Sequence, residues 1–191
     1  MGDATNRGTP TPAGRRRLLI NATELLREPG AHRHISVRLP LAELEVSDAR
    51  LSGELDVDVE LTSTLDDIEV SGTLTVPWSD QCARCLRPLA AALVVDVDER
   101  YCVPSSDPGR PSDPASFPIE RGQIDLAPMA REEVLLGIPD APVCRDDCPG
   151  LCAVCGADLS IGRCGCDGTV RDDRWAVLDQ LRTDDGEPSA N

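Results

Sequence analysis

The sequence predicts an α+β fold: an antiparallel β-sheet, partly closed into a barrel, with two packing helices and a C-terminal cysteine-rich segment. Three observations predict it. Apolar and polar residues alternate through three central runs, two later stretches carry helix start and stop signals, and eight of nine cysteines fall in close pairs.

The strands come first. In GELDVDVELT, Leu55, Val57, Val59 and Leu61 alternate with Glu54, Asp56, Asp58 and Glu60, the period of a strand with one buried face. IEVSGTLTV repeats the pattern with Ile68, Val70, Leu74 and Val76, and ALVVDVDERY sets Leu93, Val95 and Val97 on one side. The connection at 62–67 is short, so the first two strands form an antiparallel hairpin. The second and third are joined by 77–88, which places Cys82 and Cys85 at a hairpin tip. HISVRL at 34–39 extends the sheet.

Helix signals are fewer. Residues 127–137 (APMAREEVLLG) have a proline in the first turn and a glycine stop followed by Ile138-Pro139. Met129, Leu135 and Leu136 are expected to face the sheet. Residues 172–182 (DDRWAVLDQLR) start on Asp and end on Arg, in line with the helix dipole, and space Trp175, Leu178 and Leu181 along one face. A short helical turn is expected at 22–28. Residues 1–15 read as a disordered arm, 16–182 as a single domain, 104–118 (five prolines) as a flexible loop, and 183–191 as a disordered tail.

No apolar run approaches the ~18 residues of a membrane-spanning helix. Arg15-Arg16-Arg17 is followed by only three apolar residues, too few for a secretory signal, so a cytoplasmic protein without stable disulfides is expected. The net charge of −15, with no lysine, disfavours whole-surface binding to nucleic acid. Four aromatic residues (Trp78, Trp175, Tyr101, Phe117) are too few to stack a single strand. A basic protein partner fits better. Residues 43–69 hold ten acidic side chains against Arg50 alone, either a solvated sheet face that resists edge aggregation or a dock for that partner.

The cysteines carry the chemistry. They pair as Cys82/Cys85, Cys144/Cys148, Cys152/Cys155 and Cys164/Cys166, the last three pairs within 23 residues. A tetrahedral ion takes four thiolates, so four pairs make two closed sites for two structural Zn²⁺ ions, although thiolate-only ligation also suits iron. One arrangement joins all the cysteines from Cys144 to Cys155 and leaves Cys82/Cys85 to Cys164/Cys166. The favoured one joins Cys82/Cys85 with Cys144/Cys148, stitching the hairpin tip to the end of the helix, and Cys152/Cys155 with Cys164/Cys166 in a compact loop. A redox reading would set Cys-x-x-Cys at a helix N-terminus after a strand, and no helix signal follows Cys85. Cys102 reads as a small core residue, and His32 and His34 as strand-edge residues rather than ligands. No catalytic triad, phosphate loop or H-E-x-x-H is present, and no small-molecule substrate is implied. With both sites filled the charge falls to about −19, since four thiolates outweigh one Zn²⁺.

CARCLRPL (82–89), IDLAPMAREEVLLGIPDAPVC (124–144), DDCPGLCAVCGADL (146–159) and DDRWAVLDQL (172–181) occur here in one order. In them the chain resembles the YceD family, the large ribosomal RNA subunit accumulation proteins. The resemblance supports the favoured cysteine grouping. It implies a non-enzymatic role in ribosome biogenesis, and the acidic sheet then points to a basic large-subunit ribosomal protein or a pre-ribosomal particle as the expected partner. Direct rRNA contact through Arg15–Arg17, or a thiol-redox role, are the alternatives. The 104–118 stretch and the extended termini depart from the family pattern and touch none of its motifs.

Overall fold

A computed structural model of the chain describes residues 15–65, 67–104, 116–166 and 174. Of the helix expected at 172–182, only Arg174 is among them. The arm at 1–14, most of the 104–118 loop and the 183–191 tail also lie outside the described residues. Within the stretch read as one domain, the chain gathers into two compact units. The first comprises residues 1–81 and 88–142, the second residues 82–87 and 143–191.

The first unit opens with a 3₁₀ turn at Arg15–Leu18, then β1 (Leu19–Asn21), α1 (Ala22–Leu25), β2 (His32–Pro40) and a second 3₁₀ turn at Leu41–Leu44. It continues through β3 (Glu54–Ser63), β4 (Asp67–Gln81), β5 (Pro88–Cys102), β6 (Phe117–Pro118), β7 (Gln123–Asp125) and α2 (Leu126–Gly137). The five-stranded sheet runs β2-β3-β4-β5-β6, and β1 pairs separately with β7. Neighbours in the large sheet are antiparallel except β5 and β6, which are parallel.

The sheet is open, which corrects the expected partial barrel. Closure needs a ladder between first and last strands. The last strand is two residues long, pairs only Tyr101 and Cys102, and ends on a proline that has no N–H to donate.

The alternation in the sequence sets which face is buried. Leu55, Val57, Val59 and Leu61 of β3, with Ile68, Val70, Leu74 and Val76 of β4, are at most 1% exposed. Leu18, Ile20, Leu25, Leu41 and Leu44 join the same core. α2 starts at Asp125, whose carboxylate accepts from the Ala127 N–H at 3.0 Å, and Pro128 sits in the first turn, where no intrahelical bond is lost. The helix buries Leu126, Ala127, Met129, Ala130 and Val134. Met129 thus faces the core as expected, but Leu135 and Leu136 do not, being 38% and 76% exposed. The stripe Leu126–Ala130–Val134 steps by four residues, and at ~100° per residue Leu136 lies on the far side from Val134.

The opposite face of the sheet meets solvent. Arg38 grips both carboxylate oxygens of Asp56, and His34 lies 2.7 Å from Asp58. His32 and His34 are exposed on the edge strand, the placement expected for them. Among the described residues no helix is long and apolar enough to cross a membrane.

Candidate metal centres

The second unit is built on one local device used twice. β4 and β5 end at the paired residues Gln81 and Pro88, and Cys82–Arg87 turn between them. In that turn the Cys82 N–H donates to the Arg87 carbonyl at 2.8 Å, and the Leu86 N–H to the Cys82 carbonyl at 2.9 Å. The bridge between Leu151 and Asp158 flanks the same turn again. There the Cys152 N–H donates to the Ala157 carbonyl and the Gly156 N–H to the Cys152 carbonyl, both at 2.8 Å. Each turn needs a left-handed residue after its second cysteine: Leu86 at φ 60° and Gly156 at φ 72°. QCARCLRPL and LCAVCGADL are therefore a repeat in structure as well as in cysteine spacing, a relation the sequence reading did not extend beyond the cysteines.

Leucine is ill-suited to that conformation, whose cost for a residue with a Cβ is about 1–2 kcal/mol. Leu86 is 56% exposed, so its side chain returns little burial. Leu86→Gly is expected to raise stability by about 0.5–1 kcal/mol, once glycine's greater unfolded-state freedom is subtracted. Urea denaturation checks this, with an unchanged or lower midpoint as the contrary result.

The sulfurs gather as in the favoured sequence arrangement. Cys82, Cys85, Cys144 and Cys148 form one group, and Cys152, Cys155, Cys164 and Cys166 the other, with all ligand atoms in each within 4.8 Å of one another. Cys82 and Cys148 sulfurs are 3.8 Å apart, as are those of Cys85 and Cys144. That is too far for a disulfide and matches the edge of about 3.8 Å in a tetrahedron with Zn–S bonds of about 2.3 Å. All nine cysteines are free thiols.

Electrostatics prepare both groups for a cation. The Cys82 thiol is drawn down to about 6, first by the Cys85 N–H and also by the N–H groups of Cys144 and Arg84. The Cys144 N–H lies 3.3 Å from the Cys82 sulfur. Cys152 is drawn down to about 6 in the same way, by the N–H groups of Cys155 and Val154. Their partners move oppositely: Cys144 is pushed up to about 12 by its hydrogen bond with Cys148, and Cys166 to about 12 by that with Cys155. Packed this closely, four sulfurs cannot all carry charge by themselves. A divalent cation at the centre would let all four ionise.

Side chains that the sequence did not single out brace the first group. Arg84 donates from Nη1 to the carbonyls of Asp146 and Cys148, at 2.9 and 3.0 Å, clamping the 144–148 loop. Its own carbonyl accepts from the Leu151 N–H at 3.1 Å. Gly150, at φ 75°, lies so close that a Cβ there would sit 3.1 Å from the Arg84 carbonyl oxygen. Arg87 reaches Ser160 Oγ at 2.9 Å and Asp158 at 3.5 Å. The only sequence signal for these braces is an arginine inside or just after a Cys-x-x-Cys pair and the Pro149-Gly150 turn. Cys102 stands apart from both groups, half-buried, with its sulfur 2.9 Å from Ser116 Oγ. Arg17 is exposed beyond the start of β1.

Comparison with known proteins places this arrangement. The family described as large ribosomal RNA subunit accumulation protein YceD matches residues 70–182, which include all eight clustered cysteines. Uncharacterized proteins of Mycobacterium bovis and Mycobacterium tuberculosis are each 32% identical over 169 residues, covering 86% of this chain and 81% of theirs. The Large ribosomal RNA subunit accumulation protein YCED homolog 1, chloroplastic, of Arabidopsis thaliana is 34% identical over 70 residues, 37% of this chain and 22% of that one. No solved structure matches. Over more than half of its length, then, and across both cysteine groups, this chain is a member of the YceD family.

Proposed function

We propose that the protein is a non-catalytic, cytoplasmic ribosome-biogenesis factor that supports accumulation of large-subunit rRNA. In this reading it binds a basic large-subunit ribosomal protein, free or within a pre-ribosomal particle. Both cysteine groups hold structural Zn²⁺: each presents four thiolates and leaves no position for a substrate water, unlike a catalytic zinc site. The family's description supports the rRNA role.

The observation that carries the partner assignment is the solvent face of the sheet. Register aligns Asp58, Thr73 and Asp96 in one row, and Glu60, Ser71 and Asp98 in the next. Ser71, Thr73 and Thr75 of β4 thus make a floor of small hydroxyl side chains between acidic β3 and β5. The two acidic walls stand two strand spacings, about 10 Å, apart. An extended segment bearing Arg or Lys can lie along this floor and reach carboxylates on either side, whereas a phosphate backbone would be repelled.

The test uses the full-length zinc-loaded protein with purified basic large-subunit ribosomal proteins, and in parallel with fragments of large-subunit rRNA. Glu60→Lys combined with Asp98→Lys is expected to weaken protein binding roughly tenfold or more, because it removes one carboxylate from each wall and adds repulsion. Tight rRNA binding that survives this change and falls steeply with salt would overturn the proposal in favour of direct RNA contact.

A further inference from the structure

The two cysteine groups are built alike but placed differently. In the first, Cys82, Cys85 and Cys148 are 0%, 6% and 3% exposed and only Cys144 is half-buried. In the second, Cys155 is exposed and Cys164 and Cys166 are half-exposed, leaving only Cys152 buried. Gly156, Gly162 and Gly165 around it have open space where a Cβ would stand. Ile161, at the head of its ligand loop, is 84% exposed. Arg84 clamps the loop of the first group through two backbone carbonyls, whereas Arg87 reaches the loop of the second at Asp158 and Ser160, ahead of Cys164. The spans differ as well. The first group joins residues 62 apart, from Cys82 to Cys144, and the second closes within residues 152–166.

We propose that the second group is a site of thiol oxidation and zinc release, while the first is a permanent fastener. This rests on the reading that both groups hold zinc. The oxidant is a small two-electron peroxide that reaches the exposed Cys155 sulfur. That sulfur attacks one peroxide oxygen, the O–O bond breaks, and hydroxide leaves, giving a sulfenic acid. A neighbouring sulfur of the group, all of them within 4.8 Å, then attacks the sulfenic acid sulfur. One S–S bond forms and a second hydroxide leaves. Two thiolates and one hydrogen peroxide thus become one disulfide and two hydroxides. The two remaining thiolates make half a tetrahedral shell, so the ion is released. The loop opened is short and local, and the first group keeps the long-range closure. The metal content of the chain then follows its exposure to oxidant, in steps.

The experiment treats the full-length, zinc-loaded protein with hydrogen peroxide. A chromogenic chelator reads zinc release, native mass spectrometry counts ions per chain, and peptide mapping locates the disulfides. One equivalent is expected to leave roughly tenfold or more faster than the other, as exposure and thiolate character govern oxidation. The first disulfide should map among Cys152, Cys155, Cys164 and Cys166, and dithiothreitol with added zinc should restore two ions. Cys155→Ser is expected to remove the fast phase, leaving one slowly released ion and an unchanged circular-dichroism spectrum for the sheet. Two ions leaving at one rate, or a first disulfide among Cys82, Cys85, Cys144 and Cys148, overturns this inference alone. Protein that binds no zinc at either group overturns the metal reading with it.

Discussion

Cys82→Ser is expected to remove one equivalent of zinc and to unfold residues 143–151, while the five-stranded sheet and the second cysteine group stay folded. The reason is what the second unit lacks. Its described buried side chains are Cys82, Cys85, Cys148 and Cys152, and none of its described residues belongs to the hydrophobic core. The sulfurs are its interior, and by themselves they repel or must stay protonated. Structural zinc contributes on the order of 10–16 kcal/mol to domains of this kind, so losing one of four ligands should cost several kcal/mol. The carbonyls of Asp146 and Cys148 would keep their bonds to Arg84, but two hydrogen bonds at about 1 kcal/mol each cannot hold a loop whose ordering costs about 1–2 kcal/mol per residue. Elemental analysis should fall from two zinc ions per chain to one, and hydrogen exchange over 143–151 should lose its protection. Cys102→Ser, at a sulfur 2.9 Å from Ser116 Oγ and outside both groups, is expected to leave zinc content unchanged. Unchanged metal and unchanged exchange in Cys82→Ser would remove the metal assignment from the first group.

The parts of this structure that could be read in advance are those set by local pattern. Val57, Val59 and Leu61 announce their strand because every second side chain must leave water, and the few residues between Ser63 and Asp67 allow only a hairpin. The cysteine groups were legible because thiolate ligation needs paired sulfurs at short spacing. What escaped depends on distant partners. The sheet fails to close because Phe117–Pro118 offers two paired residues, and nothing periodic marks them. Leu135 and Leu136 look like a helix's buried face until Leu126, Ala130 and Val134 take that place. Arg84 binds carbonyls 62 and 64 positions away, and a surface arginine with such partners reads no differently from any other. The turn shared by Cys82–Arg87 and Cys152–Ala157 was hidden for another reason: Leu86 occupies a conformation for which Gly156 is the expected residue.

Gly72→Ala is expected to be the most damaging single change in the sheet. Gly72 lies in β4 between Val59 of β3 and Val97 of β5, at φ 149°. A Cβ there would stand 2.2 Å from the Asp58 carbonyl oxygen and 2.7 Å from the Val59 Cα. Both are backbone atoms, so no rotamer change can clear them, and the strands must separate or bulge. Backbone strain of about 1–3 kcal/mol adds to overpacking of about 1–3 kcal/mol, which suggests a loss of about 3 kcal/mol or more. For a unit of this size that lowers the melting midpoint by roughly 10 °C. Gly53→Ala is the control: its φ of 74° is also left-handed, but a Cβ there meets only Pro77 Cγ, at 3.6 Å. Its cost should be that of the backbone conformation alone, about 1 kcal/mol. Equal losses at the two positions would mean that β3 and β4 can part without penalty. The difference between them measures the close approach of the strands, and that approach also sets the spacing of the acidic wall on β3 from the hydroxyl floor beside Gly72. Gly72→Ala should therefore weaken binding of a basic partner at temperatures where the sheet is still folded, whereas Gly53→Ala should not.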